Sequence, residues 1–282
     1  MVHYKRNEMK KLLLICLTLI SFATYSQNKK TEKILEEGKL LFRLEKGSWY
    51  GTDHFLENFP TKRDSIGGYV SYETSDNKIN TIFFNRFDSN VILVHYQFDN
   101  VPKPEPINID TINRTATKLE KDLIAINQNA RKMATENADN FFSFYENTSL
   151  NFIPVIKGNK KKVFVLTGPQ VSGVVIIGND YIINYDKNNA FKDKSKIHNS
   201  ILQFPYTSEN GENAIESTYH SHVVTNYISS TDVCTFLLYR DYVEWKQHIV
   251  ISQKEVSIFN LEHETLYTMK KKDWEKINNS EK

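Results

Sequence analysis

The sequence predicts an α+β fold, in which a small antiparallel β-meander plus one helix precedes a C-terminal α/β domain. Three observations lead there. Runs rich in Val, Ile, Tyr and Phe, broken by short polar turns, fill residues 67–99. A helical stripe of apolar residues occupies residues 111–136. From about residue 150 strand-like runs return, with one apolar helical pattern at 232–245 among them.

Taken in order, residues 9–27 read MKKLLLICLTLISFATYSQ: two lysines, an apolar run from Leu12 to Ile20, then small and polar residues. This is the layout of a secretory signal peptide cleaved after Ser26, and the run is too short to span a bilayer. Cys16 lacks the small neighbours of a lipoprotein processing site, so the expectation for residues 1–26 is a removed leader and a secreted or periplasmic protein without a membrane anchor. Residues 27–150 form the N-terminal region. TEKILEEGKLLFRL carries a short helical signal, and from GSWYGTDHF onward the pattern turns to β. GGYVSYET, KINTIFFNRF and NVILVHYQFD then predict a three-stranded meander, and the proline-rich NVPKPEPINID an exposed connection. Ile112, Ala116, Leu119, Leu123, Ile126 and Ala130 define one apolar helical face that covers a sheet, with a second helical turn around Phe141, Phe142 and Tyr145.

Residues 151–282 form the C-terminal domain. KKVFVLTG and GVVIIGNDYIINYD are strands, the latter a hairpin turning at Gly178-Asn179-Asp180. IHNSILQF and AIESTYHSH follow as strand candidates. Ser230 or Thr231 caps a helix over DVCTFLLYRDYVEW, and KQHIVIS with EVSIFNLE makes a final hairpin through Gln253 and Lys254.

The formal charge of +2 includes the leader, and without residues 1–26 the chain carries about −1. Nucleic-acid binding therefore lacks an electrostatic footing. Only Cys234 lies beyond the leader, so no internal disulfide forms, and its apolar helical setting reads as core.

The chemistry concentrates in HSHVVTNYISSTD, residues 220–232. Alternate residues of a strand face one way, which puts His220 and His222 on one side about 6–7 Å apart. Asp232, in the first turn of the next helix, can return as a third, harder ligand. Two imidazoles, one carboxylate and an open position suit a catalytic zinc ion that acidifies a bound water. The other histidines, His54, His95, His198, His248 and His263, have no companion at ligand spacing and read as ordinary.

This segment resembles the JAB1/MPN/JAMM metalloprotease family, which carries His-x-His and then Ser-x-x-Asp on a strand–loop–helix–strand frame. The resemblance covers about the last 120 residues. It implies a JAMM/MPN-like domain, zinc on His220, His222 and Asp232, and Ser229 as a stabiliser of the oxyanion in amide or isopeptide hydrolysis. Three departures accompany it. Val223 stands where the family has proline, the loop is one residue shorter, and aligning GPQVSGVVIIG on the family frame puts Gln170 where the glutamate general base belongs. An amide cannot accept that proton. Glu216 shares strand parity with His220 but lies roughly 13 Å away along the strand, and Glu209 and Glu212 sit in the preceding polar loop. The resemblance therefore implies a degenerate zinc module binding a peptide, protein or cell-envelope ligand, with an active zinc hydrolase using another base as the alternative.

Overall fold

Helix α1 (Val2–Asn58) runs on through GSWYGTDHF, where the pattern is expected to turn to β, and ends only at Asn58, so residues 47–58 are helical. The reason is packing. Leu41, Leu44, Ser48 and Phe55 recur at helical spacing and are buried, and Phe55 stacks on Phe83 with ring centroids 4.6 Å apart. Gly47 belongs to this face: a Cβ there would sit 2.7 Å from Ile79 Cγ2, so the residue's smallness lets the helix lie against a sheet. The computed structural model describes residues 2–206 and 217–280, with side chains described over 29–206 and 217–277. Among the described residues no helix is long and apolar enough to cross a membrane.

The predicted meander forms as β1 (Ile66–Glu73), β2 (Ile79–Asn85) and β3 (Val91–Phe98), all antiparallel. The short β4 (Asn108–Asp110) and β5 (Arg114–Thr115) pair with β3. Helix α2 (Lys118–Glu136) starts at a capping box, in which Thr117 and Glu120 satisfy each other's backbone N–H groups. Its buried stripe is Leu123, Ile124, Ile126, Ala130 and Ala134. Ile112 and Leu119, expected on that face, are exposed, because the helix begins after Ile112 and turns Leu119 outward. Leu123 and Ile124 pack on Val70, Ile82 and Phe84 of the meander, while Ile126, Ala130 and Ala134 pack on Val163, Val165 and Ile183. One helix thus joins two sheets. The expected helical turn at Phe141, Phe142 and Tyr145 is irregular chain instead, and buried Phe142 packs on Tyr181.

The second sheet runs in the order β10 (Phe191–Lys196), β9 (Tyr181–Tyr185), β7 (Lys160–Pro169), β6 (Thr148–Lys157). The predicted hairpin at residues 178–180 does not form. β8 (Val174–Gly178) leaves that sheet and pairs antiparallel with β11 (Ile201–Pro205), so the Gly178-Asn179-Asp180 turn passes the chain from one sheet to another. The last sheet is β12 (Ser217–Ser221), β13 (Gln247–Ile251), β14 (Glu255–Asn260) and β15 (Thr265–Lys270), followed by α4 (Lys271–Ser280). The hairpin of β13 and β14 is as expected. β12 and β13 are parallel, which requires a crossover, and α3 (Ser230–Tyr239) supplies it.

Every residue of α3 is buried because α1 packs against it on one side and the sheets on another. The largest core draws on both halves of the sequence, with Leu41, Phe83 and Phe98 in the same apolar cluster as Phe164, Phe236 and Phe259. Burial of side chains of this size contributes about 1.5–3 kcal/mol each. The α1–α3 contact therefore holds the crossover helix, and with it Asp232, in a fixed place.

Candidate metal centre

On β12 burial alternates: Thr218 and His220 face inward while Ser217, Tyr219 and Ser221 face solvent. His222 continues this parity one step beyond the strand, held by its N–H donating to Ile251 O at 2.9 Å. The two histidines therefore share a side, as their spacing requires. Asp232 enters from the first turn of α3, where its Oδ2 accepts the Ser229 N–H at 2.8 Å and Ser229 Oγ accepts the Asp232 N–H at 3.0 Å. The Ser229 hydroxyl also donates to Asp232 Oδ2 at 2.8 Å. Ser229 is thus a helix cap that orients the carboxylate, and its hydroxyl is committed there rather than free for an oxyanion.

The structure adds His198 to these residues. It lies in the short link between β10 and β11, and the ligand atoms of His198, His220, His222 and Asp232 all fall within 4.8 Å of one another. Nε2 of His198 is 3.0 Å from Nε2 of His222 and 3.2 Å from Asp232 Oδ1. His222 Nε2 is 3.2 Å from Asp232 Oδ2, and His220 Nε2 is 3.8 Å from Asp232 Oδ1. An ion with four bonds near 2.0–2.1 Å in a tetrahedron has ligand atoms about 3.3 Å apart; the shorter of these contacts are of that size, and the whole set lies within 4.8 Å. A buried group of His198, His220, His222 and Asp232 could hold a metal ion.

Proton positions make the case chemical as well as geometric. Nδ1 of His222 lies 2.7 Å from Tyr227 O, and a carbonyl only accepts, so Nδ1 carries a hydrogen and Nε2 is the nitrogen turned to the cluster. Nδ1 of His198 is 3.2 Å from Asp180 Oδ2, within ion-pair reach but without hydrogen-bond alignment, and Nε2 faces the cluster. His220 Nδ1 contacts His248 Nε2 at 2.7 Å, and His248 Nδ1 contacts Thr218 Oγ1 at 2.6 Å. Each ligand ring is thus backed by its own partner, the usual way a protein fixes which nitrogen points at a metal. Ring nitrogens and a carboxylate crowded together need positive charge, as a proton or an ion, between them. His220 Nε2 and Asp232 Oδ1 are also buried without a hydrogen-bond partner, which an ion at the centre would remedy.

The electrostatics agree. Burial pulls the His198 imidazolium down, but the carboxylates of Asp232 and Asp180 outweigh it and push its pKa up to about 10. Burial brings His220 down to about 4, and burial with the neighbouring His220 drives His248 well below the usual range. Burial alone would raise Asp232, yet His198 and His222 hold it well below an ordinary carboxylate. Without an ion, a proton on His198 supplies the positive charge the cluster needs.

A cleft of about 740 Å³ opens beside the centre, bordered by His198, His220 and His222 along with Leu202, Phe204 and Val223. Gln170 does not line it. It lies exposed just past β7, its N–H donating to Asn147 O at 2.8 Å, and none of its described contacts reaches the cluster. Glu209, Glu212 and Glu216 lie outside the described residues. Cys234 is buried, and burial with Glu45 and Asp180 nearby pushes its thiol far above the usual range, so it is no nucleophile.

His220, His222 and Asp232 come together as expected, whereas His198 and His248, which read as ordinary, belong to the centre. No spacing rule ties residue 198 to residues 220–232, and its place follows from the β8–β11 pairing. Compared with known proteins, the chain matches no family model, no curated protein and no solved structure.

Proposed function

We propose that this chain is an exported module that holds a zinc ion on His198, His220, His222 and Asp232 and binds a peptide, protein or cell-envelope ligand in the adjoining cleft without hydrolysing it. One observation carries the reading: the fourth corner of the centre is occupied by a histidine. Catalytic zinc sites keep that corner for water, whereas structural sites fill all four with side chains. Three imidazoles and a carboxylate within 4.8 Å of one another suit zinc, the common ion of such N/O sets. Gln170, which the resemblance puts at the general-base position, lies exposed and away from the cluster, so it has no part in the centre. The β12–loop–α3–β13 unit, with its parallel strands, supports an MPN-like frame for this half. Export rests on residues 9–27.

When bound, zinc would supply a fixed dication that neutralises Asp232 and orients the three rings. His248 and Tyr227 would keep the ring hydrogens turned away from it. The alternative, a zinc hydrolase acting on an amide bond, draws on the cleft that reaches three of the ligands.

Metal analysis of the purified protein tests the first claim, with one zinc per chain expected and His220→Ala reducing it. Loss of stoichiometric metal from the wild type would sink the zinc reading. For the second, peptide substrates are expected to survive incubation with the zinc-loaded protein, and Gln170→Glu to create no amidase activity. Chelator-sensitive cleavage by the wild type would establish the hydrolase instead.

A further inference from the structure

The Gly178-Asn179-Asp180 turn has the makings of part of the metal centre. Asp180 is buried, and it grips the His198 link by both side chain and main chain. Its Oδ2 lies 3.2 Å from His198 Nδ1, within ion-pair reach though not aligned as a hydrogen bond, and its backbone carbonyl accepts the Ile197 N–H at 2.8 Å and the His198 N–H at 3.4 Å. Its other oxygen, Oδ1, accepts the Thr167 N–H at 3.0 Å, which ties the carboxylate to β7 and sets its direction. Asn179, also buried with φ 56°, donates its N–H to Ser200 O at 3.0 Å and its side-chain amide to Ser143 O and Thr167 Oγ1, both at 3.0 Å. Gly178 has φ +101°, and a Cβ there would stand 2.3 Å from Ser200 O. Only glycine lets the 197–200 link lie so close to this turn.

Two carboxylates flank His198, Asp232 within the cluster near Nε2 and Asp180 outside it near Nδ1. A dication among neutral imidazoles would leave that buried group without net charge, the condition under which burying charges costs least. Asp180 is therefore matched in both geometry and charge to a ligand role for His198.

We propose that Asp180 is the positioning residue that fixes His198 as the fourth ligand of a divalent d-block metal ion, and that the 178–180 turn exists to hold it there. The inference rests on the zinc-centre reading above. It differs in what it demands: the fourth corner is closed by Asp180 acting through His198, not by chance contact.

Co²⁺ is the probe, because its visible bands are strong in four-coordinate sites and weaken when a fifth or sixth ligand enters. Wild-type protein is expected to bind one Co²⁺ with strong bands that azide does not alter. Asp180→Asn, close to isosteric, should bind Co²⁺ about 10–100-fold more weakly and give weaker, azide-sensitive bands. His198→Ala should produce the same azide-sensitive spectrum, and the double variant should bind no more weakly than His198→Ala alone. If Asp180→Asn keeps wild-type affinity and an azide-insensitive spectrum, or the two losses multiply in full, the inference is overturned while the zinc centre stands. A wild type that takes up no Co²⁺ or zinc overturns both. Should Asp180→Asn not fold, ¹⁵N-histidine NMR of the zinc-loaded wild type decides. A downfield, exchange-protected Nδ1–H on His198, absent in His198→Ala, is expected, and its absence in the wild type rejects the Asp180 contact.

Discussion

Gly38→Ala sets two physical effects against each other, and the structure decides which wins. Gly38 lies inside α1, where alanine is the better helix former by about 1 kcal/mol. On propensity alone the substitution stabilises. The space at Gly38 says otherwise. An added Cβ would sit 2.6 Å from both Cβ and Cγ1 of Val233 and 2.9 Å from the Ser230 carbonyl oxygen. None of these atoms is the far end of a flexible chain. Val233 is β-branched and fully buried, and Ser230 O belongs to the first turn of α3. Relief requires the two helices to move apart, and overpacking of this kind costs about 1–3 kcal/mol. With the contact so short the upper part of that range applies, and the net result is a loss of about 2 kcal/mol despite the helix gain.

The movement also carries a signature. Val233 follows Asp232, so displacing α3 shifts a proposed metal ligand, and Gly38→Ala should lower both unfolding free energy in urea and the affinity for zinc that the proposal requires. Val233→Ala makes room for the new methyl group. The double variant should therefore be destabilised by less than the sum of the single ones, with a coupling of about 1 kcal/mol or more. A Gly38→Ala protein more stable than the wild type, or strictly additive losses in the cycle, would refute the account of how α1 seats α3.

Two further outcomes are expected. Glu120 accepts from Arg114 at 2.6 and 2.8 Å, from the Tyr72 hydroxyl at 2.8 Å and from the Thr117 N–H at 2.7 Å. Burial alone would raise its pKa, but these partners bring it from 4.5 down to about 2. The folded-state value is depressed, so its contribution is present above pH 4.5 and lost as the pH falls from there toward 2; Glu120→Gln should cost about 2 kcal/mol at neutral pH and flatten that part of the stability profile, and an unchanged profile would count against the cluster. Removing zinc with a chelator should lower the melting temperature, since free zinc at 1,000 times its dissociation constant stabilises by about 4 kcal/mol. A melting temperature indifferent to zinc and chelator in the wild type would contradict the proposed centre.

What could be read from the sequence was local. The alternation that aligns His220 with His222 and the β13–β14 hairpin each depend on neighbours a few residues away, whereas the helix cap expected at Ser230 or Thr231 is Ser229. What could not be read depended on distant partners. Residues 47–58 look like strand and turn until Gly47 is seen against Ile79, and then the glycine serves helix packing. Residues 178–180 look like a hairpin until β8 is seen to pair with β11, a strand more than twenty residues on. His198 is invisible for the same reason, because only that pairing swings it beside His222.

The same long-range architecture bears on how metal and fold are related. In a small zinc-nucleated domain the ligands come together only when the ion arrives. Here each ligand is carried by something else: His220 by a paired strand and His248, His222 by Ile251 O and Tyr227 O, Asp232 by its helix cap, His198 by Asp180. A positive charge is still needed among them, and the proton that Asp232 and Asp180 hold on His198 can meet that need before metal binds. The cluster is accordingly preformed, and a metal ion would compete with a proton for one place. Metal uptake should stabilise a fold that already exists rather than create it, which is why a chelator is expected to lower the melting temperature without unfolding the chain.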